Sequence, residues 1–340
     1  MKAAAFRRFG GPEVLEYMDL PTPEPRAGHV VVKVLACGVN RLEHYLREGS
    51  VLPSIKMPHV LGSDAAGEIA AVGAGVAGFK PGDRVVPMPG YTLDPNDMHT
   101  PLSAAPSYAI GGIVNWGTYA EYVEVPAKWV LHDDLGLEPE EVATLPMALV
   151  TAVRSVKVVG QVGAGQTVLI HAGASGTGTM NIQLARALGA RVATTVQGDA
   201  QAKLAGSLGA ELVVDVQRRD FVKEVIDWTG GSGVDTTIDN LGGDVLQKSI
   251  DATRVGGTIV AMGFVAGVEV RFHVRIFFFT HKRLLGTLMG DVADLKWGLQ
   301  QVKAGRIRPL LDRVLPLSDA AEAHRLISSN AVNGNLVLKP

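Results

Sequence analysis

The stretch VLIHAGASGTGTMNIQLA, residues 168–185, limits what this chain can fold into more than any other. A short apolar run enters a glycine-rich turn and leaves it with apolar residues at helical spacing, which predicts strand, turn and helix. Further runs follow at the same rhythm. RVATTV, ELVVDV, VDTTIDNLG and GTIVAMG read as strands, and AQAKLAGSLGA, DFVKEVIDWTG and DVLQKSIDAT read as helices. Strands alternating with helices at this spacing predict an α/β unit with a doubly wound parallel sheet over residues 149–290. RLLGTLMG, 283–290, is expected to be its last strand.

Three glycines in the first turn, Gly173, Gly176 and Gly178, carry a chemical expectation. A side chain there would keep the backbone away from a ligand, whereas glycine lets a dinucleotide pyrophosphate settle on the helix N-terminus. Ala174, Ser175 and Thr177 complete the turn, with Ser175 where G-x-G-x-x-G has its middle glycine. A turn that is only structural is the alternative reading. An acid at the end of the second strand would bond the adenosine ribose and repel a 2′-phosphate. Val196 stands there, followed by Gln197. This favours NADP(H) over NAD(H), with Lys203, Arg218 and Arg219 as sources of positive charge. A solvated helix face is the other reading of those three residues.

The remainder of the chain has a different texture. Up to about residue 125 it reads as short strands such as HVVVKVLACGV and RVVPM between glycine and proline turns, a β-rich pattern with few helices. Residues 88–118 show no clear period and are expected to form a long excursion. The tail, 291–340, contains helical DVADLKWGLQQVKAG and SDAAEAHRLISS, ends in strand-like GNLVLKP, and is expected to return to the first unit.

With 340 residues, two domains are the default, and a formal charge of −2 gives no reason to expect nucleic acid or a membrane surface as partner. No apolar run reaches the ~18 residues of a membrane span, and the N-terminus lacks the apolar core of a signal peptide. A single cysteine, Cys37, forms no intrachain disulfide and suits a reducing cytoplasm. It reads as a small buried residue.

MKAAAFRRFGGPEVLEYMDLPTPEP, GVNRLEHYLREG, PHVLGSDAAGEIAAVGAGV, GFKPGDRVV, GTYAEYVEVP, VLIHAGASGTG, IDNLGG and LPLSDAAEAHRL span the chain. Together they resemble the medium-chain dehydrogenase/reductase superfamily, in its zinc-free, quinone-oxidoreductase-like branch. The resemblance implies a Rossmann domain over 149–290 and a β-rich GroES-like catalytic domain over 1–148 and 291–340. In zinc-dependent relatives a catalytic metal is held at positions that correspond here to Asn40, Ser63 and Met147. Amide, hydroxyl and thioether are not the thiolate and imidazole donors that zinc takes. The lobe at 88–118, which carries a four-cysteine zinc in relatives, has no cysteine. No metal is expected at either place.

By the same resemblance, Asn40 and Tyr45 face the nicotinamide: Asn40 as an amide donor to a substrate oxygen, Tyr45 as a hydrogen-bond or proton donor. Tyr45 is alternatively a stacking wall. Ser63 and Asp64 are candidates for a polar floor, Asp64 alternatively being structural and paired with an arginine. His44 is a further, weaker proton-donor candidate, with a packed histidine as the other reading. Thr151, Asn240 and the backbone of Gly263, Phe264 and Val265 match cofactor-touching positions. Asn335 stands where many relatives place a cation near the pyrophosphate. Gln201 and Val216 replace a phosphate-binding lysine and tyrosine. The expected activity is zinc-independent hydride transfer from NADPH to a small-molecule substrate, a quinone or an alkene conjugated to a carbonyl. Such acceptors delocalise incoming charge without a Lewis acid. An alcohol or aldehyde dehydrogenase and a non-catalytic NADP-binding protein remain the alternatives. A homodimer paired through strand 283–290 is expected.

Overall fold

A computed structural model describes residues 1–52, 54–94, 96, 97 and 99–340. Pro95 and Met98, within the expected excursion, lie outside the described residues. The chain divides into two compact units, Met1–Met147 with Pro309–Pro340, and Ala148–Arg308.

The first unit contains β1 (Lys2–Phe6), β2 (Glu16–Asp19), β3 (His29–Val39), α1 (Arg41–Glu48), β4 (His59–Val60), β5 (Ala66–Val72), β6 (Arg84–Pro87), β7 (Gly90–Thr92), β8 (Tyr108–Ile110), β9 (Tyr122–Pro126), β10 (Val130–His132) and α2 (Pro139–Val142). The long, β-branched β3 is its spine. It pairs antiparallel with β5 and β9, and Cys37, Gly38 and Val39 meet the C-terminal strand. The alternating pattern of β3 sends Val30, Val32 and Val34 into a core shared with Phe6, Leu46, Leu61 and Tyr119. Cys37 is buried in this core, as expected, and burial pushes its thiol pKa up. The 88–118 segment is not wholly irregular, because β7 and β8 form a two-stranded antiparallel ribbon within it.

The second unit follows α3 (Pro146–Ala152), which continues as a π-helical turn over Val153–Val159. It runs β11 (Thr167–Ile170), α4 (Gly176–Ala187), β12 (Arg191–Val196), α5 (Asp199–Ser207), β13 (Leu212–Asp215), α6 (Phe221–Trp228), β14 (Val234–Asp239), α7 (Gly243–Ala252), β15 (Thr253–Ala261), α8 (Val274–Phe279), β16 (Arg283–Gly286) and α9 (Val292–Lys303). The sheet is parallel, in the order β13-β12-β11-β14-β15-β16. Its strand order therefore reverses beside β11, the position at which such sheets bind nucleotides.

Two boundaries differ from expectation. The last strand covers 283–286 rather than 283–290. The chain returns to the first unit at Pro309 rather than at 291, because α9 packs on the second unit. There Arg154 meets Asp291 and Asp294 at 3.2 and 3.5 Å. The chain then re-enters the first unit as β17 (Leu311–Pro316), α10 (Ala320–Ser328) and β18 (Asn335–Lys339), which pairs with β3.

The turn into α4 is sterically closed to larger residues. A Cβ on Gly178 would stand 2.1 Å from the Ala172 carbonyl oxygen, and one on Gly173 would stand 2.2 Å from Thr194 Oγ1. Backbone cannot yield as a flexible side chain does, so Gly178→Ala is expected to destabilise the protein by about 1–3 kcal/mol through overpacking. Thermal unfolding measures this, and an unchanged midpoint would contradict it.

Candidate functional site

The chemistry of the first unit gathers where β3 ends and α1 begins. Asn40 is the N-cap of α1 and is half-buried. Its backbone N–H donates to Glu43 Oε2 at 2.6 Å, which fixes the helix start. Its side-chain Nδ2 donates to Asp64 Oδ2 at 2.9 Å and, at a longer 3.3 Å, to Ser63 Oγ. Ser63 donates its hydroxyl and its backbone N–H to Glu43 Oε1, at 2.7 and 3.1 Å. Asp64 Oδ1 accepts the Met147 backbone N–H at 2.8 Å.

The positions that match metal ligands in zinc-dependent relatives are therefore joined by two buried acids. Asn40 bonds both acids, Ser63 bonds Glu43, and Met147 bonds Asp64. The local donor set, an amide, a hydroxyl and a thioether, does not fit zinc. Among the described residues no three His, Cys, Asp or Glu side chains are grouped as a cation site. The arginine partner considered for Asp64 is replaced by an amide and a backbone N–H.

Burial dominates the electrostatics. Loss of water raises the Glu43 pKa to about 7 against the hydrogen bonds from Ser63 and Asn40 that lower it. The same cause raises Asp64 to about 8, with the Glu43 charge adding to the rise. The pair thus retains a proton near neutrality. Glu43 carries no signal of its own in the sequence: an acid three residues into a helix is ordinary capping chemistry. Its value shows only when Ser63, 20 residues on, folds against it.

Ser63, a candidate for the polar floor, is buried with its hydroxyl engaged by Glu43. Tyr45 lies in α1 and is half-buried. Burial raises its phenol pKa, and nearby Arg41 opposes that rise. His44 is held by Arg47 at 3.0 Å and Ser328 at 3.1 Å, which accords with the packed reading. Asn335 starts β18, is buried, and donates to the Leu310 carbonyl from both its backbone and its side chain, at 2.9 and 3.3 Å. It holds β18 to the incoming chain.

The second unit brings the remaining candidates to the C-terminal edge of its sheet. Ser175 caps α4 by accepting Gly178 N–H at 3.1 Å, and its carbonyl accepts Thr179 N–H at 2.8 Å. The first-turn amides of Gly176 and Thr177 have no partner of that kind within the helix, which suits an anion. Thr151 is half-buried in α3 and its carbonyl accepts from Ser155 at 2.8 Å. Asn240 follows β14, and its buried Oδ1 has no hydrogen-bond partner. A ribose hydroxyl is a donor of the kind that atom lacks. Gly263, Phe264 and Val265 form the exit of β15, with Phe264 and Val265 exposed. These features fit a dinucleotide.

At the end of β12 Val196 is buried, Gln197 is exposed with its N–H on Gln201 Oε1, and Lys203 is exposed on α5. Arg218 is paired with exposed Asp199 at 2.7 Å, and Arg219 is paired with Glu224. The two arginines are engaged with acids rather than presented alone.

Because both acids ionise less readily when folded, the folded state holds protons that the unfolded chain has released above pH 4.5. Their contribution to stability therefore falls as pH rises toward about 7 and 8. Glu43→Gln removes one such group. Its stability relative to wild type is expected to rise by on the order of 3 kcal/mol between pH 5 and 8. Chemical denaturation across that range tests this, and a gap independent of pH would contradict it.

Comparison with known proteins yields two family matches: residues 26–134 match the alcohol dehydrogenase GroES-like domain and residues 176–304 the zinc-binding dehydrogenase family. A probable quinone oxidoreductase of Schizosaccharomyces pombe is 31% identical over 97% of this chain and 94% of its own length. A 2-haloacrylate reductase of a Burkholderia species is 31% identical, covering 99% and 98%. A solved structure described as an NAD-dependent alcohol dehydrogenase superposes with a TM-score of 0.94 at 36% identity, over 100% of both chains.

Proposed function

The chain belongs to the medium-chain dehydrogenase/reductase superfamily, in its quinone-oxidoreductase-like group, and from that premise we propose that this nicotinamide-dependent oxidoreductase reduces a quinone or an alkene conjugated to a carbonyl, with NADPH and without zinc. One observation carries the reading: Asn40, Ser63 and Met147 hydrogen-bond to Glu43 and Asp64, in a donor set unsuited to zinc. A plain alcohol needs an electrophile to release its proton, whereas a conjugated acceptor already carries one. The relatives named for quinone and haloacrylate reduction are consistent with this.

Bound NADPH supplies the hydride. The Gly173–Gly178 turn, with Ala174, Ser175, Gly176 and Thr177, holds the pyrophosphate on the N-terminus of α4. Asn240, Thr151 and the backbone at Gly263–Val265 hold the nicotinamide side. Val196 leaves the second strand without the acid that excludes a 2′-phosphate, and Gln197 and Lys203 flank that place. In the first unit Asp64 fixes the Asn40 amide plane. The long Asn40–Ser63 bond, 3.3 Å, is the one a substrate oxygen displaces. Asn40 then donates to the oxygen that gains charge, and the Tyr45 phenol provides the proton.

The reading is tested by NADH and NADPH oxidation over quinones, conjugated enals and plain aldehydes. NADPH with quinones or enals is expected to be the best combination. NADH with plain aldehydes or alcohols would favour the dehydrogenase reading, to which the alcohol-dehydrogenase likeness points. Binding without turnover on any acceptor would favour a non-catalytic role. Asn40→Ala is expected to lower kcat about 10²–10³-fold, the scale of one lost oxyanion donor. Tyr45→Phe is expected to lower it about 10²-fold if the phenol is the acid. Full activity in either variant, measured in the same assay, would remove that residue from the mechanism.

The homodimer is also part of the proposal. β16 is an edge strand with Leu285 exposed, Leu288 beyond it is 50% exposed, and Phe278 and Phe279 on α8 are exposed too. Phe277 instead packs inward against Leu246 and Ile250. An apolar edge of this kind is covered in stable proteins. Sedimentation is expected to show a dimer that Leu285→Lys dissociates, and a monomeric wild type would contradict it.

A further inference from the structure

A fully buried histidine sits beneath the glycine-rich turn and takes no part in the functional reading. His171 is the residue after β11, 1% exposed, and its ring meets the edge of Phe221 in a T-shaped contact at 4.9 Å. Nδ1 lies 2.9 Å from Thr195 Oγ1 on β12, and Nε2 lies 2.8 Å from Ser249 Oγ on α7. Ser249 donates to Asp239 Oδ2, at the end of β14, at 2.6 Å. Asp239 Oδ1 accepts the backbone N–H groups of Leu241 and Gly242, both at 2.8 Å. Thr195 Oγ1 in turn accepts the N–H of Ala172, at 3.2 Å.

The directions of these bonds follow from donor counting. A serine has one proton, and the short contact with a carboxylate takes it. Ser249 oxygen then accepts from His171, so Nε2 carries the ring proton and Nδ1 is the acceptor. Nδ1 receives the Thr195 hydroxyl proton, which leaves Thr195 oxygen free to accept from Ala172. One continuous run results, from Ala172 N–H through Thr195, His171 and Ser249 to Asp239.

Three of its members, Ala172, Thr195 and Asp239, stand at three turns. Ala172 precedes Gly173 in the pyrophosphate turn, with φ +51°. Thr195 precedes Val196 and Gln197 at the adenosine side, and Asp239 precedes Asn240, whose Oδ1 awaits a donor. All four side chains of the run are at most 3% exposed. Bulk solvent does not reach these side chains, and an unsatisfied member would bear the full cost of a buried polar group.

We propose that His171 is a positioning residue that holds the three dinucleotide-binding turns in mutual register, so that dinucleotide affinity depends on an imidazole that never touches it. The inference rests on the second unit binding a nicotinamide dinucleotide. Three β-strand ends that drift independently must be ordered by the ligand. Strand ends tied through one ring are ordered beforehand, and the ligand then binds more tightly.

The test uses the full-length protein and variants on either side of the ring, since replacing His171 itself risks the fold. Thr195→Val and Ser249→Ala each remove one hydroxyl, and Thr195→Ser restores the hydroxyl alone. Binding of NADPH and NADH is followed by fluorescence titration, and turnover by the KM for the dinucleotide. Thr195→Val is expected to raise Kd and KM about tenfold with kcat changed less than about twofold, and Thr195→Ser to return to near wild type. The double variant Thr195→Val with Ser249→Ala is expected to lose clearly less than the product of the two single losses, because both act through one ring. Multiplicative losses, or unchanged affinity in Thr195→Val, would overturn the proposal. Wild-type protein that binds neither dinucleotide would overturn the cofactor reading beneath it, which separates the two failures.

Discussion

A carboxyl group without water must be met by donors from the protein, and that requirement at Asp64 and Glu43 organises the first unit. Their partners are Asn40, Ser63 and Met147. These residues come from the start of α1, the segment after β4 and the start of α3. Segments far apart in sequence converge because two buried acids need hydrogen bonds. The convergence point is the one where the resemblance would place the metal of zinc-dependent relatives. Here the attraction runs from amide and hydroxyl hydrogens to carboxyl oxygens. The consequence is a polar group, Asn40, oriented by its neighbours, with one of its amide hydrogens in the longer 3.3 Å bond to Ser63.

The second unit solves a different problem with the same economy of partners. A parallel sheet brings several strand ends to one edge, and the turns there are short, glycine-bearing and soft. Gly173 and Gly178 are pressed against Thr194 and the Ala172 carbonyl, which fixes the first turn sterically. The buried run from Ala172 to Asp239 fixes it relative to the other two. Asn240 Oδ1 is a buried acceptor without a hydrogen-bond partner at that edge, and the first amides of α4 are donors left over by helix geometry.

The architecture of the second unit was legible in the sequence because period and punctuation agreed: apolar runs, glycine turns and amphipathic helices recur at one spacing, and the sheet is parallel as they imply. The β-rich character of the first unit was legible too, although its pairing was not, since antiparallel register depends on distant partners such as β3 and β18. Boundaries failed where tertiary contacts decide them. α9 has helical spacing, but its contacts assign it to the second unit: Arg154 with Asp291 and Asp294, Lys157 over the Trp297 ring, and Leu149 against Gly298. Within the candidate site, motifs named candidates, and residues carried by distance alone were missed. Glu43 and His171 look like an ordinary capping acid and an ordinary strand-end histidine until Ser63 and Ser249 fold against them. Ser63 was read as part of a polar floor without sight of its partner, Glu43.

The central claim is that hydrogen-bonded acids, and no resident metal, hold the reacting groups of the first unit. Its most direct test is turnover of NADPH with a quinone before and after exhaustive chelation, with metal content measured on the same samples. The account predicts substoichiometric metal and an unchanged rate. Stoichiometric zinc, with activity lost on chelation and restored by zinc alone, would contradict it.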